Sequence, residues 1–388
     1  MRRLAADFSA SSIVAGFVAV LVGFTSSVAI VFSAAQALGA TPAQTTSWIW
    51  ALGVGMGVTS IGLSLATRMP VLTAWSTPGA ALIAATSGVA MPEAVGAFIV
   101  GALLIVAAGT TRIFERVMDR IPQAIAAALL AGVLVRFALD AAGAFRAAPA
   151  LVGAMGLAYL VGRRFLPRYA VPLVLATGIV VALAQGRIAL GGVHWAWAMP
   201  VWTTPVFSIG AIVGVGLPLF IVTMASQNLP GVAAQRTAGY AVPVSATITA
   251  TGVATLALAP FGAYALNLAA ITAAICMGRE AHADPARRYT AAVAAGAIYL
   301  LLGLAGGAVA GLLGAFPREL VVAVAGLALL GTIAGGLAAA LKDEAHRDAA
   351  IVTFVVTASG LTVAGIGAAF WGVVAGALAW WAAPKARS

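Results

Sequence analysis

Ala74-Trp75-Ser76-Thr77-Pro78-Gly79-Ala80-Ala81-Leu82, written AWSTPGAAL, is the stretch on which the fold turns. A Ser-Thr-Pro-Gly run reads as a turn followed by a helix start, ordinarily at a surface. Here long apolar segments flank it on both sides, which places it at membrane depth. Polar sequence at that depth is retained for function.

The composition fixes the class. Of 388 residues, 62% are hydrophobic and 8% charged, and the mean hydropathy is +1.06. That leaves too little polar surface to cover a soluble globule of this size. The chain therefore reads as an all-α polytopic membrane protein. A spanning helix needs about 20 apolar residues, so there is room for about 14 transmembrane segments and no large soluble domain. The apolar run from Ile13 is longer than a signal-peptide core and lacks a cleavage site, so it reads as the first span.

Several function classes drop out. The single Cys276 excludes an internal disulfide and reads as a small packing residue. His194, His282 and His346 fall in loops without ligand spacing, so no metal or other cofactor is expected. No catalytic triad or phosphate loop is present, so the chain does not read as an enzyme. The net charge of +10 reflects loop placement and not a nucleic-acid partner. With the N-terminus in the cytoplasm, all of the 21 basic residues fall inside except Arg136, Arg146, Arg187 and Arg318. That bias predicts an even number of crossings with both termini cytoplasmic. Arg136 lies within a span with Asp140 one helical turn on, and the spacing predicts a local ion pair outside the functional site. The runs Gly53 to Gly57 and Gly303 to Gly307 read as close helix packing, and Lys342 to Asp348 as a solvated cytoplasmic turn.

The two halves answer one another. RIPQAIAAALLAGVLV (120–135) matches AFPRELVVAVAGLALL (315–330), with Pro122 and Pro317 each opening a span. Setting Pro70 on Pro260 brings Thr77 onto Asn267 and Gln36 close to Gln227. A duplication with seven spans per half, 1–190 and 191–388, must run through the membrane as an inverted repeat, which is a transporter architecture.

Within this frame the opening stretch is half a span. Thr77 suits an N-cap and Pro78 the first helical position, with the helix running to about Ser87. About ten residues at 1.5 Å make roughly 15 Å, so the helix starts near the midplane. Val71 to Trp75 would cross the other half as extended chain, paired with the matching stretch Phe261 to Leu266 as a short strand. Asn267 would cap a second half-helix beginning at Leu268. Two positive helix ends then meet, with free amides near Gly79, Ala80, Leu268 and Ala269 suited to a carboxylate.

Four ordered stretches carry a family resemblance: FSASSIVAGFVAVLVGFTSSVAIVFSAAQALG near the N-terminus, AWSTPGAALI, MASQNLPGVA and YALNLAAITAAI. Over essentially its full length the chain resembles the BenE family of bacterial benzoate/proton symporters. That family is similar to the group holding nucleobase/ascorbate transporters and anion exchangers. The resemblance implies a core domain from spans 1–4 and 8–11, a gate domain from spans 5–7 and 12–14, and a substrate between the third and tenth spans with the eighth nearby. It points to Trp75, Ser76, Thr77 and Gly79, to Ser226, Gln227 and Asn228, and to Tyr264, Asn267 and Leu268 as substrate-binding residues, with Trp75 and Tyr264 flanking the ring. Ser226 and Leu266 stand about where nucleobase transporters carry carboxylates; an acid there would repel an anion, so the departure fits an ionised carboxylate. Taken without the resemblance, Gln227 and Asn228 read equally as interhelical hydrogen-bonding residues and Trp75 as packing.

The reading is a secondary active transporter in the bacterial inner membrane that imports benzoate or a similar aromatic carboxylate with protons, by alternating access. Its partners are that substrate, protons and the bilayer, with room for a homodimer. Proton coupling comes from the resemblance alone, because all eleven acidic residues lie near span ends or in loops. The alternative is a channel or exchanger for another small anion on the same fold.

Overall fold

The computed structural model describes residues 7–84, 86, 88–166, 170–188, 197–361, 363 and 368–382. Arg2, Arg3, Ser87, Arg168, His194, Lys385 and Arg387 of the sequence reading lie outside them. In a chain this apolar the backbone is the main polar group, and a helix satisfies it internally. The protein is accordingly mostly helical. Among the described residues, seven helical stretches are long and apolar enough to cross a bilayer: Pro42–Thr67, Met91–Thr110, Gln123–Ala147, Ile209–Thr237, Val244–Phe261, Pro285–Ala305 and Arg318–Lys342.

The first half runs α1 (Ala10–Ala37), α2 (Pro42–Thr67), β1 (Thr73–Trp75), α3 (Thr77–Ala84), α4 (Met91–Thr110), α5 (Ile113–Met118), α6 (Gln123–Ala147), α7 (Pro149–Phe165) and α8 (Ala170–Ala184). The second runs α9 (Ile209–Thr237), α10 (Val244–Leu258), β2 (Leu266–Leu268), α11 (Ile271–Met277), α12 (Tyr289–Gly314), α13 (Arg318–Lys342), α14 (Arg347–Ser359) and α15 (Ala368–Ala382). Local sequence explains many of the boundaries. Ser9 and Ser12 form a reciprocal capping box on α1, and Thr41 with Gln44 forms another on α2, where Pro42 sits in the first turn. Pro122 and Pro317 stand at the N-cap positions of α6 and α13.

Small residues set the crossings. A Cβ on Gly53 of α2 would fall 2.6 Å from the Gly303 Cα of α12, so these helices meet backbone to backbone, as the glycine runs predicted. On the other side of the bundle, Gly252 of α10 abuts the Val106 backbone of α4 in the same manner. The Arg136–Asp140 ion pair does not form. Both side chains are exposed, and the Arg136 guanidinium instead lies against Gly360 at the end of α14. Cys276 is fully buried in α11 as a packing residue. His282 accepts from the Asp284 amide, His346 pairs with Asp343 at 2.6 Å in an exposed turn, and no metal-binding cluster occurs among the described residues.

Candidate functional site

β1 and β2 pair antiparallel in the register Thr73 to Leu268, Ala74 to Asn267 and Trp75 to Leu266. The ladder extends at both ends, because Ala269 donates to the Leu72 carbonyl at 2.9 Å and Ser76 to the Ala265 carbonyl at 3.0 Å. β1 runs into α3 and β2 into α11, so two helices start from opposite ends of one ribbon and point away from it in opposite directions. The strand-and-half-helix expectation holds in this form. The strand differs in extent: β2 shares only Leu266 with the expected stretch Phe261 to Leu266 and continues through Asn267, which pairs with Ala74, to Leu268.

A two-stranded ribbon leaves outward amides on both edges, and in an apolar interior each needs an acceptor. Polar side chains on the surrounding helices supply four of these acceptors. Ser60 of α2 accepts from Thr73 at 3.0 Å, and Ser64 from Val71 at 3.1 Å. Thr255 of α10 accepts from Leu266 at 2.9 Å, and the Asn228 Oδ1 of α9 from Leu268 at 2.9 Å. Thr59 and Ser60 also bond the Thr73 hydroxyl, at 2.6 and 2.9 Å. These hydroxyls were missed in the sequence; their signal was a Ser/Thr spacing of one or four residues in otherwise apolar helices.

Three expectations are corrected. Ser76, not Thr77, caps α3: its Oγ accepts from Gly79 at 3.1 Å and its carbonyl from Ala80 at 2.8 Å. Asn267 does not cap a helix, because it sits mid-strand and α11 begins only at Ile271, after Ala270 with no side-chain cap. Finally, the amides of Gly79, Ala80, Leu268 and Ala269 are all bonded within the protein. Leftover helix-start amides belong instead to Thr77 and to Ile271 through Ala273, which meet no acceptor among the described residues.

Successive strand side chains alternate between faces, and directly paired residues share one. Thr73, Trp75, Leu266 and Leu268 therefore occupy one face, and Ala74, Ser76, Ala265 and Asn267 the other. On the first face Leu266 packs on Gly55 of α2. Trp75 is buried, with its indole N–H donated to Ser27 Oγ at 2.8 Å and its ring 5.9 Å from Phe24. These contacts anchor the ribbon. The second face is different: Asn267 is fully buried, and neither its Oδ1 nor its Nδ2 has a partner among the described residues. Leaving such a group unpaired costs about 1–3 kcal/mol, which makes this amide the candidate ligand-binding group of the ribbon.

The remaining residues sort around this face. Met224–Asn228 form a π-turn within α9, a widening frequent at functional sites. It directs Asn228 to the ribbon edge, where its Nδ2 also meets Met224 Sδ at 3.1 Å, while Ser226 and Gln227 stay half-buried. Thr77 is half-buried at the head of α3. Gly79 permits α9 to close on α3, since a Cβ there would fall 2.6 Å from Leu219 Cδ1. Tyr264 is buried against Trp48 and Phe98, with ring centroids 5.6 and 6.2 Å away and its hydroxyl unpartnered among the described residues. All eleven acidic residues are described, and none lies on the ribbon or on α3 or α11. The site is neutral.

Apolar helices converging on a broken, strand-paired centre that holds an unpartnered amide define a membrane transport protein. Residues 6–381 match the family described as BenE, benzoate membrane transport protein. The chain is 50% identical over 366 residues to an inner membrane protein, YdcO, of Escherichia coli (strain K12), covering 94% of each chain. It is 38% identical over 389 residues to a benzoate membrane transport protein of Acinetobacter baylyi, covering 100% of this chain and 99% of that one. Among solved structures, SLC26A9 shares the fold with a TM-score of 0.50 at 11% identity, over 94% of this chain and 63% of that one. The transmembrane domain of the cyanobacterial bicarbonate transporter BicA aligns over 95% of this chain with a TM-score of 0.43 at 12% identity. The chain belongs to the BenE benzoate membrane transport family.

Proposed function

We propose that the protein is a secondary active transporter of the inner membrane that imports benzoate or a similar aromatic carboxylate together with protons, by alternating access. The observation that carries this reading is the Asn267 amide, buried and unpartnered on the neutral face of the ribbon. A carboxylate accepts hydrogen bonds only, so it suits Asn267 Nδ2 and the leftover Thr77 amide at the start of α3. A like-charged side chain would oppose it, and none is there. Trp75, Asn228, Leu268 and Leu266 hold the ribbon, while Ser76, Thr77, Gly79 and Asn267 stand at the substrate, with Ser226, Gln227 and Tyr264 around it.

The same reading includes a seven-plus-seven inverted repeat, 1–190 and 191–388. Paired features support it. The α2–α12 glycine crossing has a counterpart in α10–α4, and Ser60 bonding a β1 amide has a counterpart in Thr255 bonding a β2 amide. In this arrangement α1–α4 and α9–α12 make the core domain, and α6–α8 with α13–α15 make the gate against which it moves. The basic-residue bias favours cytoplasmic termini. Purified protein in liposomes should accumulate radiolabelled benzoate when the outside is made acidic relative to the lumen. Flux indifferent to the pH gradient would instead favour a channel or exchanger, and absence of benzoate flux would remove the reading.

A further inference from the structure

Thr223 of α9 is fully buried and makes an unusual choice of partner. Three other buried threonines within helices return their hydroxyl to the carbonyl one turn back, Thr247 to Pro243 at 2.9 Å, Thr255 to Thr251 at 2.8 Å and Thr353 to Ala349 at 2.8 Å. Thr223 instead donates across the fold to Ser76 Oγ, at 3.1 Å. The same Ser76 oxygen already accepts from the Gly79 amide at 3.1 Å. A hydroxyl has two acceptor lone pairs and one proton, so both of its lone pairs are occupied. Its own proton must go to a third group, and no acceptor takes it among the described residues.

That proton belongs to the same face of the ribbon as Asn267. Ser76 lies opposite Ala265 and Asn267 opposite Ala74, so the two polar residues sit on one diagonal and two alanines on the other. Diagonal side chains in such a ladder are about 7–8 Å apart at the Cα level, a gap that one carboxylate bridges above an alanine floor. From this arrangement we infer that Thr223 is a specificity-determining positioning residue: by filling the second lone pair of Ser76, it makes that hydroxyl a donor only, matched to an ionised carboxylate and mismatched to a group that presents N–H. This rests on the reading of the ribbon face as the substrate site.

The test compares binding of benzoate and of neutral benzamide to detergent-solubilised full-length protein, for wild type, Thr223→Val and Thr223→Ser. Wild type should bind benzoate and discriminate strongly against benzamide. Thr223→Val frees a lone pair on Ser76 and lets the hydroxyl turn, so benzoate affinity should fall about tenfold, as for one hydrogen bond to a charged group. Benzamide affinity should hold or rise, and Thr223→Ser should keep the wild-type ratio. Should Thr223→Val not fold, Thr223→Ala gives the same readout with a small void in place of a methyl. Equal losses for both ligands, or unchanged benzoate binding, would overturn the assignment while leaving the site in place. Absence of benzoate binding by the wild type would overturn the site itself, and this assignment with it.

Discussion

Asn267 and Asn228 are both fully buried asparagines beside the same ribbon, yet replacing each with leucine should have opposite effects on stability. Asn228 Oδ1 holds the outward amide of Leu268. Asn228→Leu leaves that amide buried and unpaired, at a cost of about 1–3 kcal/mol. Asn267 has no partner on either amide atom among the described residues, so Asn267→Leu removes an unsatisfied group and breaks none of their hydrogen bonds. The empty protein should therefore gain stability, by up to about the same 1–3 kcal/mol less any strain from the changed side-chain shape. What Asn267→Leu should lose is the ligand. Melting in detergent, with and without benzoate, measures both effects. The expected pattern is a raised melting temperature without benzoate for Asn267→Leu and no further rise on adding it, against a lowered one for Asn228→Leu. A destabilised Asn267→Leu that still gained stability from benzoate would refute the argument, because Asn267 would then be an ordinary core residue.

Charge placed on the ribbon should act by face. Ala74→Asp sets a carboxylate beside Asn267 and should abolish benzoate binding, since like charges about 5 Å apart repel by several kcal/mol even at an effective dielectric of about 20. Leu266→Glu faces α2 at Gly55 and should fail in folding first, which fluorescence-detected size exclusion separates from a binding defect. Gly79→Ala should push Leu219 and α9 away from α3 and depress uptake more than expression, as read by transport per unit of folded protein. Asp7, before α1, bonds Tyr289 at 2.6 Å and Arg68 at 3.0 Å, with Arg287 at 3.5 Å. The Tyr289 hydrogen bond first, and then the two arginines, hold its carboxyl below the ordinary value of 3.8. A lowered value means stabilisation that is complete above that pH and lost as pH falls through the lowered value. The melting difference between wild type and Asp7→Asn should thus stay constant from about pH 8 to 5 and close only under more acidic conditions.

The AWSTPGAAL stretch disclosed a broken helix at an interior site because a Ser-Thr-Pro-Gly turn between apolar runs has few other uses. The glycine runs disclosed the α2–α12 crossing for a similar reason. Local sequence could not decide between Ser76 and Thr77 as the cap, since both side chains suit it. Asn267 misled in the same way. Asparagine is a good cap and a poor strand residue, and only pairing with a strand almost two hundred residues away overrides that preference. The Arg136–Asp140 spacing allowed an ion pair, but Gly360 offered the guanidinium a flat seat on a neighbouring helix. The roles of Ser60, Thr255 and Thr223 depend wholly on tertiary contacts, so their sequence signal was a polar rhythm without an assigned purpose.

The central claim is that the neutral face of the ribbon holds the carboxylate of the substrate, and a distance measurement tests it most directly. Full-length protein carrying 15N-labelled asparagine side chains, reconstituted in lipid with benzoate labelled with 13C at the carboxyl, can be examined by solid-state NMR recoupling. A hydrogen bond from Asn267 Nδ2 places the carboxyl carbon about 3–4 Å from the label, so the account predicts strong dephasing that disappears in Asn267→Leu. Bound benzoate with no dephasing from any asparagine, or with dephasing that survives Asn267→Leu, would contradict it.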